Sequence, residues 1–385
     1  MPHDAHRSKR RRQLGRSSDI LIVGAGIFGL SVAWAAKRRG LSVRVLEAEH
    51  VGAGASGGIV GALTPHAPSR WRPLMAFQFD ALVQLEAHIA ELESFTDVQV
   101  GYARSGRLTP LATEKALAAA QRDVAAVDDT WGKRAEFEVL EDVPSQLTGW
   151  IRPEAAPFGL VRDTISARVD PRAYLQALAF ALPETVLEGE TVTQVDAPAK
   201  AVVTHSGRFQ ADFIVLTAGW QVWSLARQVV SIAQGQPVKG QAAMFAVSAE
   251  HLPLIYQNGL YVIPHSDGRV AVGSTSEKVF EDPFRTDGKL DEVIDRAREM
   301  SSVLKNAPVV EHWAGLRPKP PGREPIVGPL TSDGCIWIAA GGFKISFGIA
   351  HAVADAIVEQ ILGENAARSL PHSFDPGRFI ESSSA

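Results

Sequence analysis

A short apolar run, a helical pattern and a second apolar run follow one another early in the chain. Residues 20–23 have the length and composition of a buried parallel strand, and residues 31–39 carry apolar side chains at helical spacing before Gly40. Residues 41–46 predict a second strand. This order is typical of a β-α-β unit, and it predicts an α/β protein.

Three glycines with the spacing G-x-G-x-x-G join the first predicted strand to the helix. Gly24 permits a tight turn, Gly26 lets the backbone approach a pyrophosphate, and Gly29 lets the helix lie close to the strand. The phosphates would meet the free N–H groups and the positive end of the helix. Glu47 follows the second strand, where its carboxylate can accept hydrogen bonds from ribose hydroxyls and repel a 2′-phosphate. The motif therefore predicts a dinucleotide site.

The patterns that follow predict an α/β frame interrupted by an antiparallel sheet. Strands are predicted at 191–195, 201–204, 212–219, 241–247, 259–264 and 269–273, with a strand-like pattern at 98–110. Helices are predicted at 72–92, 114–127 and 291–304, and one is expected to start at Asp170 and Pro171. Short buried strands at 325–328 and 335–340 precede a glycine-rich turn and a helix that ends near residue 362. The cofactor domain is thus expected in three separated segments.

Composition narrows the class of protein. A chain of 385 residues that is 45% hydrophobic and 21% charged can bury a large core and predicts two domains. The net charge of -4 gives no general attraction to nucleic acid, and no apolar run has the length needed to span a bilayer. Cys335 is the only cysteine, so an internal disulfide and a cysteine-based metal cluster are excluded, and its apolar context predicts a buried structural thiol. No metal-ligand, paired-carboxylate or Ser-His-Asp pattern stands out.

Basic residues are concentrated at the N-terminus, within residues 1–17. Because no apolar segment follows them there, the pattern does not indicate a secretory signal. We expect a disordered, solvated tail, and an arm that contacts an anionic partner is the alternative. Neither end shows a targeting sequence, so we expect a cytoplasmic protein without an integral membrane segment.

Several motifs, taken in order, resemble the flavin-dependent amino-acid oxidase family, which includes glycine oxidase, D-amino-acid oxidase and monomeric sarcosine oxidase. The resemblance covers nearly the whole chain after the basic N-terminus. The motifs are the glycine turn with Glu47, Ala55-Ser-Gly-Gly58, Val192, Thr217-Ala-Gly219, Gly259-Leu-Tyr-Val-Ile-Pro264, Trp313-Ala-Gly-Leu-Arg-Pro318 and residues 341–348. It implies a Rossmann-like FAD-binding domain with an inserted antiparallel-sheet α+β substrate domain. We assign 18–93, 167–224 and 312–371 to the FAD domain, and 94–166 and 225–311 to the substrate domain.

The resemblance also implies how FAD is held. Glu47 would bind the adenosine ribose, Ser56 and its neighbours would line the phosphate region, and the backbone of Val192 would contact adenine. Backbone N–H groups at 343–346 would meet the pyrimidine edge of the flavin, where a helix N-terminus stabilises developing negative charge. The implied cofactor-binding residues are Gly24, Gly26, Ile27, Phe28, Gly29, Glu47, Ala55, Ser56, Gly57, Gly58, Val192, Ala218, Gly219, Gly342, Phe343, Lys344, Ile345 and Ser346.

Four residues are implied at the substrate. Arg317 matches the glycine oxidase arginine that binds the substrate carboxylate, and its planar guanidinium suits two parallel hydrogen bonds. Tyr261 matches a tyrosine whose hydroxyl donates to the same carboxylate, although an aromatic residue in an apolar strand could equally belong to the core. Lys344 stands where glycine oxidase has an arginine, and its Gly-Phe-Lys context is closer to sarcosine oxidase. His66 could shape the substrate pocket or cap a turn.

Two positions depart from sarcosine oxidase. Its flavin-linking cysteine falls at Gly315, so we expect non-covalent FAD, and its oxygen-activating lysine falls near Ala271, so the electron acceptor stays open. The implied reaction is oxidative deamination or demethylation of a small amino acid or N-methylamino acid. A hydride passes from the α-carbon or the N-methyl carbon to flavin N5, and O2 is then reduced to hydrogen peroxide. The alternatives are a dehydrogenase of the same fold that passes electrons to a quinone or carrier, and a non-catalytic flavin-binding assembly protein. The oligomeric state is not predicted.

Overall fold

Two eight-stranded sheets and a two-stranded one organise the part of the chain that the structure describes. The structure is a computed structural model that describes residues 18–364 and 369–381, so the prediction for residues 1–17 lies outside the described residues. The strands are β1 (Ser18–Val23), β2 (Val43–Leu46), β3 (Ala62–Leu63), β4 (Arg107–Pro110), β5 (Phe137–Leu140), β6 (Leu160–Asp163), β7 (Ala167–Arg168), β8 (Val186–Leu187), β9 (Gln194–Asp196), β10 (Ala201–Thr204), β11 (Gly207–Leu216), β12 (Gln236–Ala246), β13 (Leu254–Gln257), β14 (Leu260–Pro264), β15 (Arg269–Gly273), β16 (Val309–Lys319), β17 (Ile326–Pro329) and β18 (Ile336–Ala340).

The α-helices lie largely where the helical patterns predicted them. They are α1 (Ile27–Arg38), α2 (Pro73–Thr96), α3 (Glu114–Ala125), α4 (Val127–Thr130), α5 (Pro171–Phe180), α6 (Val222–Ala226), α7 (Gly288–Met300) and α8 (Ser346–Ile361). Asp170 caps α5 as predicted, because its side chain accepts hydrogen bonds from the N–H groups of Arg172 and Ala173. Within residues 18–364 and 369–381, no helix combines the length and the apolar character that crossing a bilayer requires.

The first sheet is the predicted α/β frame. Its order is β17-β18-β11-β1-β2-β8, and β1 pairs in parallel with both β2 and β11. Ile20, Leu21 and Ile22 are fully buried because both faces of the sheet are covered. Helix α1 packs against both the sheet and α8, and its alanines allow this close approach. The strands β9, β10 and β11 form the predicted antiparallel meander.

The second sheet has the order β16-β12-β15-β14-β13-β4-β6-β5, and helix α7 packs on its central strands. It is antiparallel except for the parallel pair β13–β4. The strand-like pattern at 98–110 forms a strand only at β4, because Gly101 and Gly106 take positive φ angles of 67° and 75° and bend the chain before it. The predicted domain boundary at residue 312 falls inside β16, which pairs with β12 along most of its length. Strand β16 therefore belongs to the second sheet.

The two sheets and their helices confirm the predicted fold class, a Rossmann-like α/β domain with an inserted α+β sheet. Apolar clusters lie on both faces of the first sheet and between the second sheet and α7. Cys335 is buried directly before β18, as predicted for a structural thiol.

Candidate active site

A cavity of about 660 Å³ runs from the carboxyl ends of β1 and β2 to the second sheet. The edge beyond the carboxyl ends of parallel strands is where α/β proteins bind ligands. The cavity brings together predicted residues that are far apart in the sequence. Those on its wall are Gly24, Gly26, Ile27, Phe28, Glu47, Ala55, Ser56, Gly58, Val192, Ala218, Gly219, Tyr261, Arg317, Phe343, Lys344 and Ser346.

The glycine turn is built as the sequence predicts. Gly24 has a φ of 108°, and a Cβ there would lie 2.8 Å from the carbonyl oxygen of Thr217, which directly follows the neighbouring strand β11. A Cβ at Gly29 would overlap the carbonyl oxygen of Gly24, so α1 can lie this close to β1 only with glycine there. The Thr217 hydroxyl donates to the carbonyl of Gly24 at 3.0 Å and holds the turn from the other side.

Two helix N-termini border the cavity. Helix α1 has Gly26 at its N-cap, which contributes no side chain, and Ile27 and Phe28 on the cavity wall. Helix α8 has Ile345 at its N-cap, without a side-chain hydrogen bond, and Ser346 on the wall. Both ends offer a positive partial charge to an anionic group. A cavity with an anion-binding helix end at each of two places fits a flavin dinucleotide.

The carboxylate of Glu47 lies at the end of β2 beside the turn. One oxygen accepts a hydrogen bond of 2.7 Å from the N–H of Ala25, and the other accepts one of 3.1 Å from the N–H of Glu49. Each carboxylate oxygen has a further lone pair, so hydrogen bonds to ribose hydroxyls remain available. Among the described residues, the other carboxylates on the wall are those of Glu49, which follows β2, and Glu190, which follows β8.

Arg317 approaches the cavity from β16 and is partly buried. Its Nη1 donates a hydrogen bond of 3.0 Å to the carbonyl oxygen of Thr275, the one hydrogen bond that the guanidinium makes within residues 18–364 and 369–381. Burial lowers the pKa of Arg317 to about 10, and the carboxylate of Glu277 opposes this shift. The guanidinium is therefore positively charged at neutral pH and has donors left for a ligand.

Lys344 lies on the same wall, just before α8, and stays accessible there. Desolvation by the surrounding protein and the charge of Arg317 lower the pKa of its ammonium group. The smaller part of this shift comes from repulsion between two cations at one end of the cavity. A bound anion would relieve it.

Tyr261 points toward the cavity from β14. Its hydroxyl is 2.9 Å from the hydroxyl of Thr64, and burial raises its pKa, so the phenol is neutral and able to donate. His66 does not lie on the cavity wall. Its Nδ1 is hydrogen-bonded to the side-chain oxygen of Gln78 on α2, whose nitrogen donates to the carbonyl of Thr64 at 2.9 Å. Burial lowers the pKa of His66, so the ring is neutral at pH 7.

Four predicted cofactor residues are not on the wall but support it. Gly29 lies inside α1, and Ile345 donates to the carbonyl of Gly342 at 2.8 Å in the turn before α8. The carbonyl of Gly57 accepts a 2.9 Å hydrogen bond from Arg172 of α5. These positions shape the backbone around the cavity.

Other wall residues were not predicted from the sequence. They include Ser274, Phe284, Trp313 and Trp220. Trp313 begins the motif that contains Arg317, and Trp220 directly follows the motif that ends at Gly219, so these neighbours could have indicated them. Phe284 lies between β15 and α7, where no local pattern indicates that the chain returns to the cavity.

Comparison with known proteins identifies the family. The sequence matches the family described as FAD dependent oxidoreductase over residues 19–356. A bifunctional protein ThiO/ThiG from Synechocystis sp. is 30% identical over 379 residues, and the match spans 94% of this chain but 54% of that protein. Glycine oxidase from Pseudomonas putida is 28% identical over 361 residues, with 90% of this chain and 95% of that protein covered.

Among solved structures, glycine oxidase from Geobacillus kaustophilus superimposes with a TM-score of 0.85 at 22% identity, covering 95% of this chain and all of that chain. At this identity, the superposition establishes the fold. Because the sequence match extends over residues 19–356, which include both sheets, the chain belongs to the FAD-dependent oxidoreductase family, and the predicted enzyme class and cofactor are confirmed.

Proposed function

We propose that this enzyme oxidises a small α-amino acid or N-methylamino acid. The observation that carries the proposal is the guanidinium of Arg317, which lies on the wall of the cavity that the glycine turn borders and keeps most of its donors unused by the protein. A planar guanidinium in that state suits a carboxylate, which can accept two parallel hydrogen bonds from it. The similarity to glycine oxidases supports an amino acid as the source of that carboxylate.

Each of the three site residues has a role in holding the substrate. Arg317 binds the carboxylate in a defined plane, Lys344 adds a second positive charge, and the neutral phenol of Tyr261 donates a further hydrogen bond. Together they place the carbon that bears the amine at one position in the cavity, and such placement lowers the entropic part of the barrier. FAD, when bound, supplies the hydride acceptor and the route for electrons to O2 or another acceptor.

The reaction requires little acid–base catalysis by protein side chains. The substrate reacts as the neutral amine, and loss of the hydride leaves an iminium ion. Water hydrolyses this ion to an oxo acid and ammonia or methylamine when the hydride leaves the α-carbon, and to formaldehyde and the demethylated amino acid when it leaves an N-methyl carbon. No carboxylate on the described cavity wall comes from β14, β16 or residues 341–347, the segments that carry the substrate-binding residues. This is in keeping with a step that needs no protein base.

The ligand is expected to be small. The planar guanidinium of Arg317 fixes one orientation of the carboxylate, whereas the flexible side chain of Lys344 can adjust the position of its ammonium group to it. We therefore favour glycine derivatives, sarcosine, proline or D-amino acids with short side chains over bulky or dicarboxylic amino acids.

The test is anaerobic mixing of the FAD-loaded enzyme with a panel of these amino acids. Loss of the flavin absorbance identifies a substrate, and no loss with any of them would contradict the proposal. Admission of air then distinguishes the acceptors. Rapid return of the colour with stoichiometric peroxide indicates an oxidase, and slow return indicates a dehydrogenase that uses a quinone or carrier protein. Family membership disfavours a non-catalytic assembly protein.

A further inference from the structure

Strand β16 carries Trp313 and Arg317 on one face, with Gly315 between them. In the pairing of β16 with β12, Gly315 lies directly opposite Gly240, and Arg317 lies opposite Val238. Gly240 is therefore the diagonal neighbour of Arg317 on the same face of the sheet, at a distance that a long side chain spans. Two glycines thus face each other between the tryptophan and the arginine.

The guanidinium of Arg317 lies over Gly240. A Cβ built on Gly240 would overlap the Cζ, Nη1 and Nη2 atoms of Arg317. Gly240 does not have a positive φ, so its backbone conformation is open to other residues. The space above it, rather than its backbone, requires glycine. The three heavy atoms nearest to this Cβ all belong to the guanidinium of Arg317. Because this group is the end of a flexible side chain, it can move away at small cost to the fold.

The other contacts of Arg317 hold it against that space. The carbonyl of Thr275 accepts from Nη1, and the chain after β15 returns to β12 through hydrogen bonds between the backbones of Glu277 and Lys239 at 2.9 Å in both directions. The carboxylate of Glu277 accepts from Lys289 at 2.8 Å and from the Gln241 amide at 2.9 Å, so it is engaged elsewhere. The position of the guanidinium is therefore set by one carbonyl and by the empty space at Gly240.

We propose that Gly240 is a positioning residue for Arg317, because its missing side chain leaves the space that sets where the guanidinium binds a carboxylate. This inference rests on the proposed function of Arg317. Gly240→Ala is expected to push the guanidinium toward the cavity while leaving the fold and the FAD site in place. Gly288→Ala is a matched control, because a Cβ there has its nearest neighbour at 4.0 Å and the residue is not in the site.

The test measures carboxylate binding directly by titrating the FAD-loaded protein with acetate, and with acetamide as the uncharged analogue. Loss of a well-placed charged hydrogen bond should raise the Kd for acetate on the order of 10- to 100-fold in Gly240→Ala. The Kd for acetamide, the FAD content and the Tm should stay close to those of the wild type and of Gly288→Ala. An unchanged Kd for acetate in Gly240→Ala would overturn the inference.

A double-mutant cycle separates this inference from the proposed function. In an Arg317→Leu background, Gly240→Ala should have no further effect on acetate binding, because the side chain it displaces is gone. Additive effects would overturn the positioning role. If Arg317→Leu alone leaves acetate binding unchanged, the carboxylate site itself is elsewhere, and the proposed function fails.

A second pair of variants covers the case in which Gly240→Ala does not fold. The side chain in Arg317→Met ends at the position of the arginine Nε and does not reach the positions of Cζ and the two Nη atoms, so Arg317→Met with Gly240→Ala should fold, load FAD and bind acetate as Arg317→Met alone does. Failure of this double variant to fold would show that glycine is needed for the backbone, which contradicts the inference.

Discussion

The carboxylate of Glu47 accepts a hydrogen bond of 2.7 Å from the backbone N–H of Ala25, inside the glycine turn. The acid at the end of β2 therefore holds the turn in shape and also borders the cavity. Sequence reasoning predicted only its contact with ribose. A change at Glu47 is consequently expected to act on FAD binding in two ways, through the turn and through the proposed contact with the ribose.

Glu47→Arg is expected to weaken FAD binding on the order of 100-fold, since both the Ala25 contact and the ribose acceptor are lost and a cation enters their space. Glu47→Gln keeps one acceptor oxygen and should lose less. Titration of apoprotein with FAD, followed by flavin fluorescence, measures both. Equal affinity in the arginine variant and the wild type would show that Glu47 does not contact the cofactor.

The FAD is expected to be non-covalent. Gly315 has no atom to attach to the flavin, and a Cβ there would lie 2.5 Å from the ring of Trp313, so β16 has no room for a linking side chain at this position. Acid precipitation should leave all the flavin in the supernatant. Yellow colour that stays with the pellet would be incompatible with this prediction.

Arg317→Leu should lower kcat/KM by a factor of roughly 30 to 1000, which corresponds to about 2 to 4 kcal/mol for a charge-assisted bidentate contact. The FAD content should not change, because Arg317 is not a predicted cofactor residue. Steady-state kinetics on the best substrate of the amino-acid panel, with flavin content measured in parallel, checks both expectations. Near-normal kcat/KM in the variant would exclude the carboxylate contact.

Lys344→Met should raise KM for a carboxylate-bearing substrate on the order of 10-fold, because one of the two cations that attract the anion is lost. The amide of the same substrate serves as the control and should be little affected. Equal losses for the acid and its amide would place Lys344 at the flavin or in the oxygen reaction instead.

Stability should fall as the pH drops from 6.5 to 4, in part because of His88. This side chain is buried beside Tyr174, with its ring centroid 4.9 Å from that of His351. Burial lowers the pKa of His88 to about 4, assisted by Arg38 and opposed by Asp355 and Glu91. Between pH 4 and the ordinary pKa of 6.5, His88 binds a proton in the unfolded state but not in the folded state. Protonation therefore favours unfolding.

The contribution of the neutral His88 ring to the free energy of unfolding is complete above pH 6.5 and is lost as the pH falls toward 4. Its upper bound is about 3 kcal/mol. Urea unfolding of the wild type and of His88→Phe at pH 5 and pH 7 measures it. The difference between the two pH values should be smaller in the variant. If it is the same, His88 is not the group that titrates.

Much of the FAD-binding half could be predicted because its signals are local. The strand-helix-strand order at 20–46 follows from the periods of apolar residues, which differ between strands and helices. The G-x-G-x-x-G spacing has a local steric cause, because a Cβ at Gly24 or Gly29 would lie too close to backbone atoms of the turn or of the residues that follow its neighbouring strand. Arg317, Tyr261 and Lys344 were found through family motifs, and the structure brings all three to one cavity. Their roles stay predictions.

The tertiary structure decided what no local pattern contains. Strand β4 could not be bounded from sequence, because the pattern at 98–110 does not show that Gly101 and Gly106 bend the chain. The position of His66 against Gln78, away from the cavity wall, depends on how α2 packs. The overlap of Gly240 with Arg317 exists only because β12 and β16 pair in one register. Sequence periodicity determines which side of an element is buried, whereas strand order and register, which result from the burial of the whole chain, determine which residues meet.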